Sequence, residues 1–117
     1  MNINSLIQKI KARDDYSKVG MILCHNGVVR GTSRDGKPVS RIDVRADFDA
    51  IHAVVAEQKK RPGIVEILVE VNEGELNVGD DLLAIVVAGD IRDNVIPVLT
   101  DTLNAVKAGG TKKKEYE

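Results

Sequence analysis

Seven apolar residues in a row, Leu82 to Ala88, constrain this chain more than any other feature. The run is far shorter than the roughly 20 residues a membrane-crossing helix needs. It is also too continuous for a strand with one wet face, so it reads as a strand covered on both sides. Such a strand must be central, with neighbours to pair it and layers above and below. The 117 residues and 12.7 kDa are enough to build that arrangement once, and a single domain spanning 1–117 is the expectation.

The rest of the chain supplies candidates for the neighbours and layers. Ser5 and Gln8 have capping-box spacing ahead of an apolar stripe at Leu6, Ile7 and Ile10, which predicts a short opening helix to about Arg13 that lids the core. The segment 1–18 is then an N-terminal helix and linker. Val19 to Arg30 is aliphatic and broken by Asn26-Gly27, as in a strand with a bend or bulge in its second half. Asp35-Gly36 is a turn signal, and Ile42, Val44 and Ala46 alternate with charged residues beyond it. The two runs are expected to form a hairpin. Asp47 can cap a helix with Phe48, Ile51 and Val55 on one face, stopped at Arg61-Pro62-Gly63.

Val65, Ile67, Val69 and Val71 alternate with polar residues in the next strand. Residues 74–80 supply a turn before the apolar run. Val95, Leu99, Leu103 and Val106 share a face of a last helix, and Gly109-Gly110 ends it. Because proline is tolerated only near a helix start, Pro97 places that start close to Asp93 or Asn94. The expected order is αββαββα, an α+β domain with a mainly antiparallel sheet, followed by a basic tail at 111–117 that is free to be disordered without a partner.

Charge is divided along the chain. Residues 1–64 hold 12 Lys/Arg and 7 Asp/Glu, a balance of +5, whereas residues 65–117 hold 5 and 11, a balance of −6. The sum of −1, with only Tyr16, Phe48 and Tyr116 as aromatics, argues against a nucleic-acid binder, which needs a basic face and stacking platforms. No apolar run is long enough for a membrane span. The opening residues lack a secretory pattern and Cys24 stands alone, so a reducing cytoplasm is the expected setting. No phosphate-cradling glycine loop, zinc-ligand spacing or nucleophile elbow occurs, and no metal or cofactor is expected. Cys24, His25 and His52 read most simply as packed strand or helix residues.

Cations at the ends of elements are the better lead. Arg92 precedes the last helix, where free amide hydrogens already form a positive pole; a cation is unfavourable there unless an anion joins it. Arg30 closes the first long strand, and its guanidinium could clamp the same phosphate or carboxylate. Lys107 lies in the final helical turn, with Lys114 seven residues beyond it across two glycines.

Asn26-Gly27-Val28-Val29-Arg30, Asp35-Gly36-Lys37, the turn Gly74 to Asp80, Ile91-Arg92, and Lys107 with Lys114-Glu115 follow the order and spacing of the molybdopterin synthase large subunit. From Val19 to Glu117 the chain resembles that family. The resemblance implies an α/β hammerhead fold and a homodimer within a heterotetramer. It further implies one small ubiquitin-like sulfur carrier per subunit, whose C-terminal Gly-Gly thiocarboxylate delivers sulfur to cyclic pyranopterin monophosphate to build the molybdopterin dithiolene. By the same resemblance Lys107 and Lys114 are the catalytic lysines, Arg30 and Arg92 contact anions, and His25 and Lys113 contact substrate. His25 stands where the family has an aromatic, Ile91 where it has histidine, and Thr111-Lys112-Lys113 where it has a proline-aromatic-tryptophan stretch. These departures leave Lys113 beside Lys114 for the second catalytic position. They also give the alternative of a non-catalytic relative that binds the carrier or a small molecule.

Overall fold

The computed structural model describes residues 2–117. Its elements run α1 (Ile3–Lys11), β1 (Met21–Val28), β2 (Arg41–Ala46), α2 (Phe48–Lys59), β3 (Ile64–Val71), β4 (Gly74–Asn77), β5 (Asp81–Gly89), α3 (Arg92–Ala105) and β6 (Thr111–Tyr116). The apolar run is β5. It is the middle strand of an antiparallel sheet ordered β1-β5-β3, and every residue from Leu83 to Gly89 is buried. Alternation divides its side chains between two cores. Leu83, Ile85 and Val87 face α2 and α3 together with Ile51, Val95, Val98 and Val106. Ala84, Val86 and Ala88 face α1 through Leu6 and Ile10. The small side chains on the second face let the helix approach closely, so α1 is the expected lid.

β1 carries the expected irregularity, a register shift between Gly27 and Val28. Its partner, however, is β5 and not β2, so the expected hairpin does not form. β2 instead lies at the centre of a second antiparallel sheet ordered β4-β2-β6. The intervening residues close a small hairpin of their own, with Thr32 bridging to Pro38. Adjacency in sequence lost here to burial. The apolar β5 offers β1 a fully covered edge to pair with, whereas Ile42 and Val44 complete a separate core with Val29, Val39 and Leu76.

Two strands go beyond the expected αββαββα order. The turn at 74–80 contains β4, which pairs with β2 from Gly74↔Val44 to Asn77↔Arg41. Residues 111–116, expected as a flexible basic tail, form β6 along the other side of β2, from Thr111↔Ala46 to Tyr116↔Arg41. A lysine-rich stretch has poor strand propensity, but at a sheet edge it keeps a foreign strand from pairing and is well suited to the position.

Smaller departures follow from local chemistry. The cap of α1 is Asn2, whose Oδ1 accepts from the Asn4 amide; Ser5 Oγ donates back to the Asn2 carbonyl instead of capping. Asp47 caps α2 as expected, accepting from the Ala50 amide at 3.0 Å. Phe48, expected on the buried face, is 48% exposed at the first residue of α2, where it overhangs the Val69–Asn72 edge of β3. α3 begins at Arg92, so Pro97 is its sixth residue and not part of the first turn. The carbonyl deprived of its partner belongs to exposed Asp93, where water can serve it.

α3 leaves through a wide turn at Val106–Gly110 that carries Lys107. Gly110 is buried, and a Cβ placed on it would come 2.7 Å from Ile51 Cγ1; the carbonyl of Gly110 also accepts from the Asp47 amide at 2.8 Å. Gly109 has open space around it. We therefore expect Gly110→Ala to lower the urea unfolding free energy by about 1–3 kcal/mol through overpacking, and Gly109→Ala to leave it within about 0.5 kcal/mol. Equal effects at the two positions would show that close packing of this turn against α2 is not what fixes Lys107.

Candidate functional site

Leu82 and Leu83, at the entry of β5, form the floor of a cleft between the two sheets. One lobe, with a volume of about 320 Å³, is walled by His25 and Gly27 of β1, Arg30 and Arg34 of the following loop, Lys107, and Lys113 and Glu115 of β6. A second lobe, about 310 Å³, continues between Val44, Val71 and Thr111 and shares Arg34, Lys107 and Lys113 with the first. Four of the six site residues read from the sequence therefore converge here: His25, Arg30, Lys107 and Lys113.

Strand geometry decides which tail lysine enters. Alternation puts Lys113 and Glu115 on the cleft side of β6 and Lys112, Lys114 and Tyr116 on the other. The Lys114 ammonium lies 5.3 Å from the Tyr116 ring centroid, and Arg41 stacks on the same ring at 4.4 Å. Lys114, expected as a catalytic residue, is thus turned out of the cleft, and Lys113 occupies the place expected for it. Arg34 also belongs to the lining, although by sequence alone it is only part of a turn.

Arg92 does not reach this cleft within one chain. It lines a shallow surface depression with Gly20, Met21 and Asp90. β5 runs antiparallel to β1, so the residues after β5 emerge beside the start of β1, while Arg30 follows its end. About 20 Å of strand separates them. The expectation that Arg30 and Arg92 of one chain clamp a single anion fails for that reason. Around Arg92 the positive pole of α3 is already met by Asp90, which accepts from the Ile91 amide at 2.6 Å and from Asn94 Nδ2 at 2.9 Å. The amide of Asn94 and that of Ile91 hold the Asp90 carboxyl below its ordinary pKa.

The cleft is electropositive and held open by small contacts. Gly27 leaves room for the imidazole, since a Cβ there would come 3.1 Å from His25 Nε2. Arg30 Nε donates to the Thr32 carbonyl at 2.9 Å, which anchors the guanidinium and leaves its two terminal nitrogens available. Among the described residues no acid forms an ion pair with Arg30, Arg34, Lys107 or Lys113. Four formal positive charges thus face one carboxylate, Glu115. Unpaired cations crowded around an apolar floor repel one another, and an anionic ligand relieves the repulsion.

His25 reports that field. Burial first, and the Lys107 charge second, push its pKa below the ordinary histidine value, so the imidazole is neutral at neutral pH. No three His, Cys, Asp or Glu side chains group as metal ligands among the described residues, and no helix among them is long and apolar enough to cross a membrane.

A mixed α+β chain of two antiparallel sheets, with an anion-attracting cleft between them, is the class of protein these features define. The family model described as MoaE protein matches residues 1–109. The chain belongs to the MoaE protein family. Solved structures share its fold. A molybdopterin biosynthesis MoaE protein from Burkholderia ambifaria superposes with a TM-score of 0.81 at 20% identity, covering 100% of this chain and 78% of that one. A molybdopterin synthase from Staphylococcus aureus gives 0.73 at 17%, covering 89% and 84%. A complex of subunits 1 and 2 of molybdopterin-converting factor from Helicobacter pylori gives 0.74 at 13%, covering 98% and 78%. No curated protein sequence matches the chain.

The lowered His25 pKa has a sign that can be tested. The folded state resists protonating this ring and the unfolded chain does not, so the stability contribution is complete above the ordinary value near pH 6.5 and is lost as pH falls through the lower folded value. Urea midpoints taken between about pH 7.5 and 5.5 should fall more steeply for the wild type than for His25→Phe. Parallel slopes would mean that the cleft does not press on the imidazole.

Proposed function

We propose that this chain is the sulfur-inserting subunit of a molybdopterin synthase, a sulfurtransferase acting in the cytoplasm. The observation that carries the reading is the convergence of Arg30, Lys107 and Lys113 with His25 in one cleft that contains a single acid. The reaction must bring together two anions, the thiocarboxylate of a small ubiquitin-like carrier and the phosphate of cyclic pyranopterin monophosphate. Their mutual repulsion is the barrier that a cationic cleft is suited to lower.

In each transfer the thiocarboxylate sulfur forms a bond to a pterin side-chain carbon as a carbon–oxygen bond at that carbon breaks, the oxygen leaving with the opened cyclic phosphate or as water, and the carrier stays joined through a thioester. Water then adds to the thioester carbonyl, its carbon–sulfur bond breaks, and the carrier departs as a carboxylate while sulfur stays on the pterin. Two such transfers make the dithiolene. Lys107 and Lys113 neutralise the oxyanion formed when water adds, and Lys107, at the junction of the two lobes, moves the proton. Arg30 and neutral His25 hold the phosphorylated substrate. The two-subunit Helicobacter pylori complex supports a small partner. Arg92 can join only from a second copy of the chain, within the homodimer at the centre of a heterotetramer.

A second reading has its own support. Ile91 in place of the family histidine and the outward Lys114 favour a non-catalytic member that keeps only carrier binding. Mixing the chain with thiocarboxylated carrier and pterin precursor, then oxidising any molybdopterin to its fluorescent derivative, separates the two. Product is the expected result, and carrier binding without product sinks the synthase reading.

The same assay tests the residues. Lys107→Ala should lower the rate by about 100-fold or more with an unchanged circular dichroism spectrum, because an exposed side chain in this turn contributes little to stability. Lys113→Ala should cost more activity than Lys114→Ala. The reverse ranking would return the second catalytic role to Lys114.

A further inference from the structure

Arg34 lines both lobes of the cleft and lies in no motif that the family resemblance rests on. A closed hairpin presents it. The Val39 amide donates to the Gly31 carbonyl at 2.9 Å, the Ser33 amide to the Lys37 carbonyl at 2.9 Å, and the Gly36 amide to the Ser33 carbonyl at 3.0 Å. Ser33 Oγ accepts from the Lys37 amide at 3.1 Å. Gly36 takes φ +82°, a conformation that L side chains rarely adopt, which lets the turn close immediately after Arg34-Asp35. Backbone order is thus in place before any ligand arrives, and binding costs less entropy than it would on a loose loop.

The guanidinium itself has no partner. Arg13 and Arg41 each hold a carboxylate within 2.8 Å, and Arg61 is likewise paired with Asp101. Arg34 makes no ion pair and no side-chain hydrogen bond among the described residues, although Glu115 lines the same lobe. Arg30, four residues earlier, keeps its terminal nitrogens available beside it. Thr32 and His25 complete the polar wall of this lobe and are absent from the other, where Val44 and Val71 take over. A phosphate ester needs several donors at once and fits the first lobe. A peptide carboxylate needs fewer, and Lys107 and Lys113 at the junction suffice for it.

We propose that Arg34 is a substrate-binding, specificity-determining residue that closes with Arg30 as a two-armed clamp on the phosphate of a phosphorylated heterocycle. Naming that heterocycle as the pterin precursor rests on the function proposed above; the clamp itself does not. Arginine suits the position because its planar fork binds phosphate through two hydrogen bonds and can also lie against a ring, which a lysine cannot do.

The test uses the intact chain and two probes, cyclic guanosine monophosphate for a heterocycle bearing a cyclic phosphate and a short peptide ending in Gly-Gly for the carrier tail. Arg34→Ala should weaken the nucleotide by about 10- to 100-fold and leave the peptide within about twofold. Arg34→Lys should recover only part of the loss, and Arg41→Ala, outside the cleft, should match the wild type. In turnover, Arg34→Ala should raise KM for cyclic pyranopterin monophosphate and leave kcat nearly unchanged. The clamp is refuted if the wild type does not bind the nucleotide, if Arg34→Ala binds it as well as the wild type, or if the loss falls on the peptide. A nucleotide effect in a wild type that makes no molybdopterin would remove the synthase reading and keep the clamp.

Discussion

The pairing of β5 on both of its edges, and its burial on both of its faces, is the constraint from which the rest of this structure follows. Its hydrogen bonds engage β1 on one side and β3 on the other, and its side chains alternate between two cores. Burying so apolar a strand removes a large area from water, and pairing on both edges satisfies the backbone groups that burial would otherwise orphan. Because the pairing is antiparallel, the two ends of β5 serve different purposes. Its entry, at Leu82 and Leu83, is the floor of the cleft, while its exit, at Gly89 and Asp90, leads to α3 at the far end of the sheet.

The cleft arises where the first sheet meets the second. Val71 and Leu82 belong to elements of the first sheet and pack into the core of the second, so the two sheets are held at a fixed spacing. Cationic side chains reach that space from three separate elements: the loop after β1, the turn after α3, and β6. All of them are exposed, and among the described residues none forms an ion pair with an acid. An electropositive cavity preorganised in this way gains more from an anion than a flexible one would, because its mutual repulsion is already present when the ligand arrives.

Much of the fold was legible from residue patterns. The continuous apolar run identified the central strand, Asp47 identified the cap of α2, and Asn26-Gly27 marked the irregularity in β1. The partner of β1 was not legible, since alternation reports which face is covered but not which strand lies alongside. β6 was hidden for a different reason. Lysine is mildly disfavoured in strands, and only the unpaired edge of β2 gives Thr111–Tyr116 a reason to extend. Arg34 carried no signal beyond its turn, because nothing in sequence spacing tells how far a hairpin leans over a neighbouring sheet.

The sequence by itself determined that there would be a doubly covered strand, helices to cover it, and an excess of cations near particular element ends, because these depend on local periodicity and on side-chain chemistry. Tertiary structure alone decided which of those cations meet. It set Arg30, Lys107 and Lys113 around one cavity, sent Arg92 to the opposite end of the same sheet, and turned Lys114 away from Lys113 across a single peptide bond. The physical reason lies in two elementary facts of strands: antiparallel pairing places the start of one beside the end of its neighbour, and successive side chains point to opposite faces.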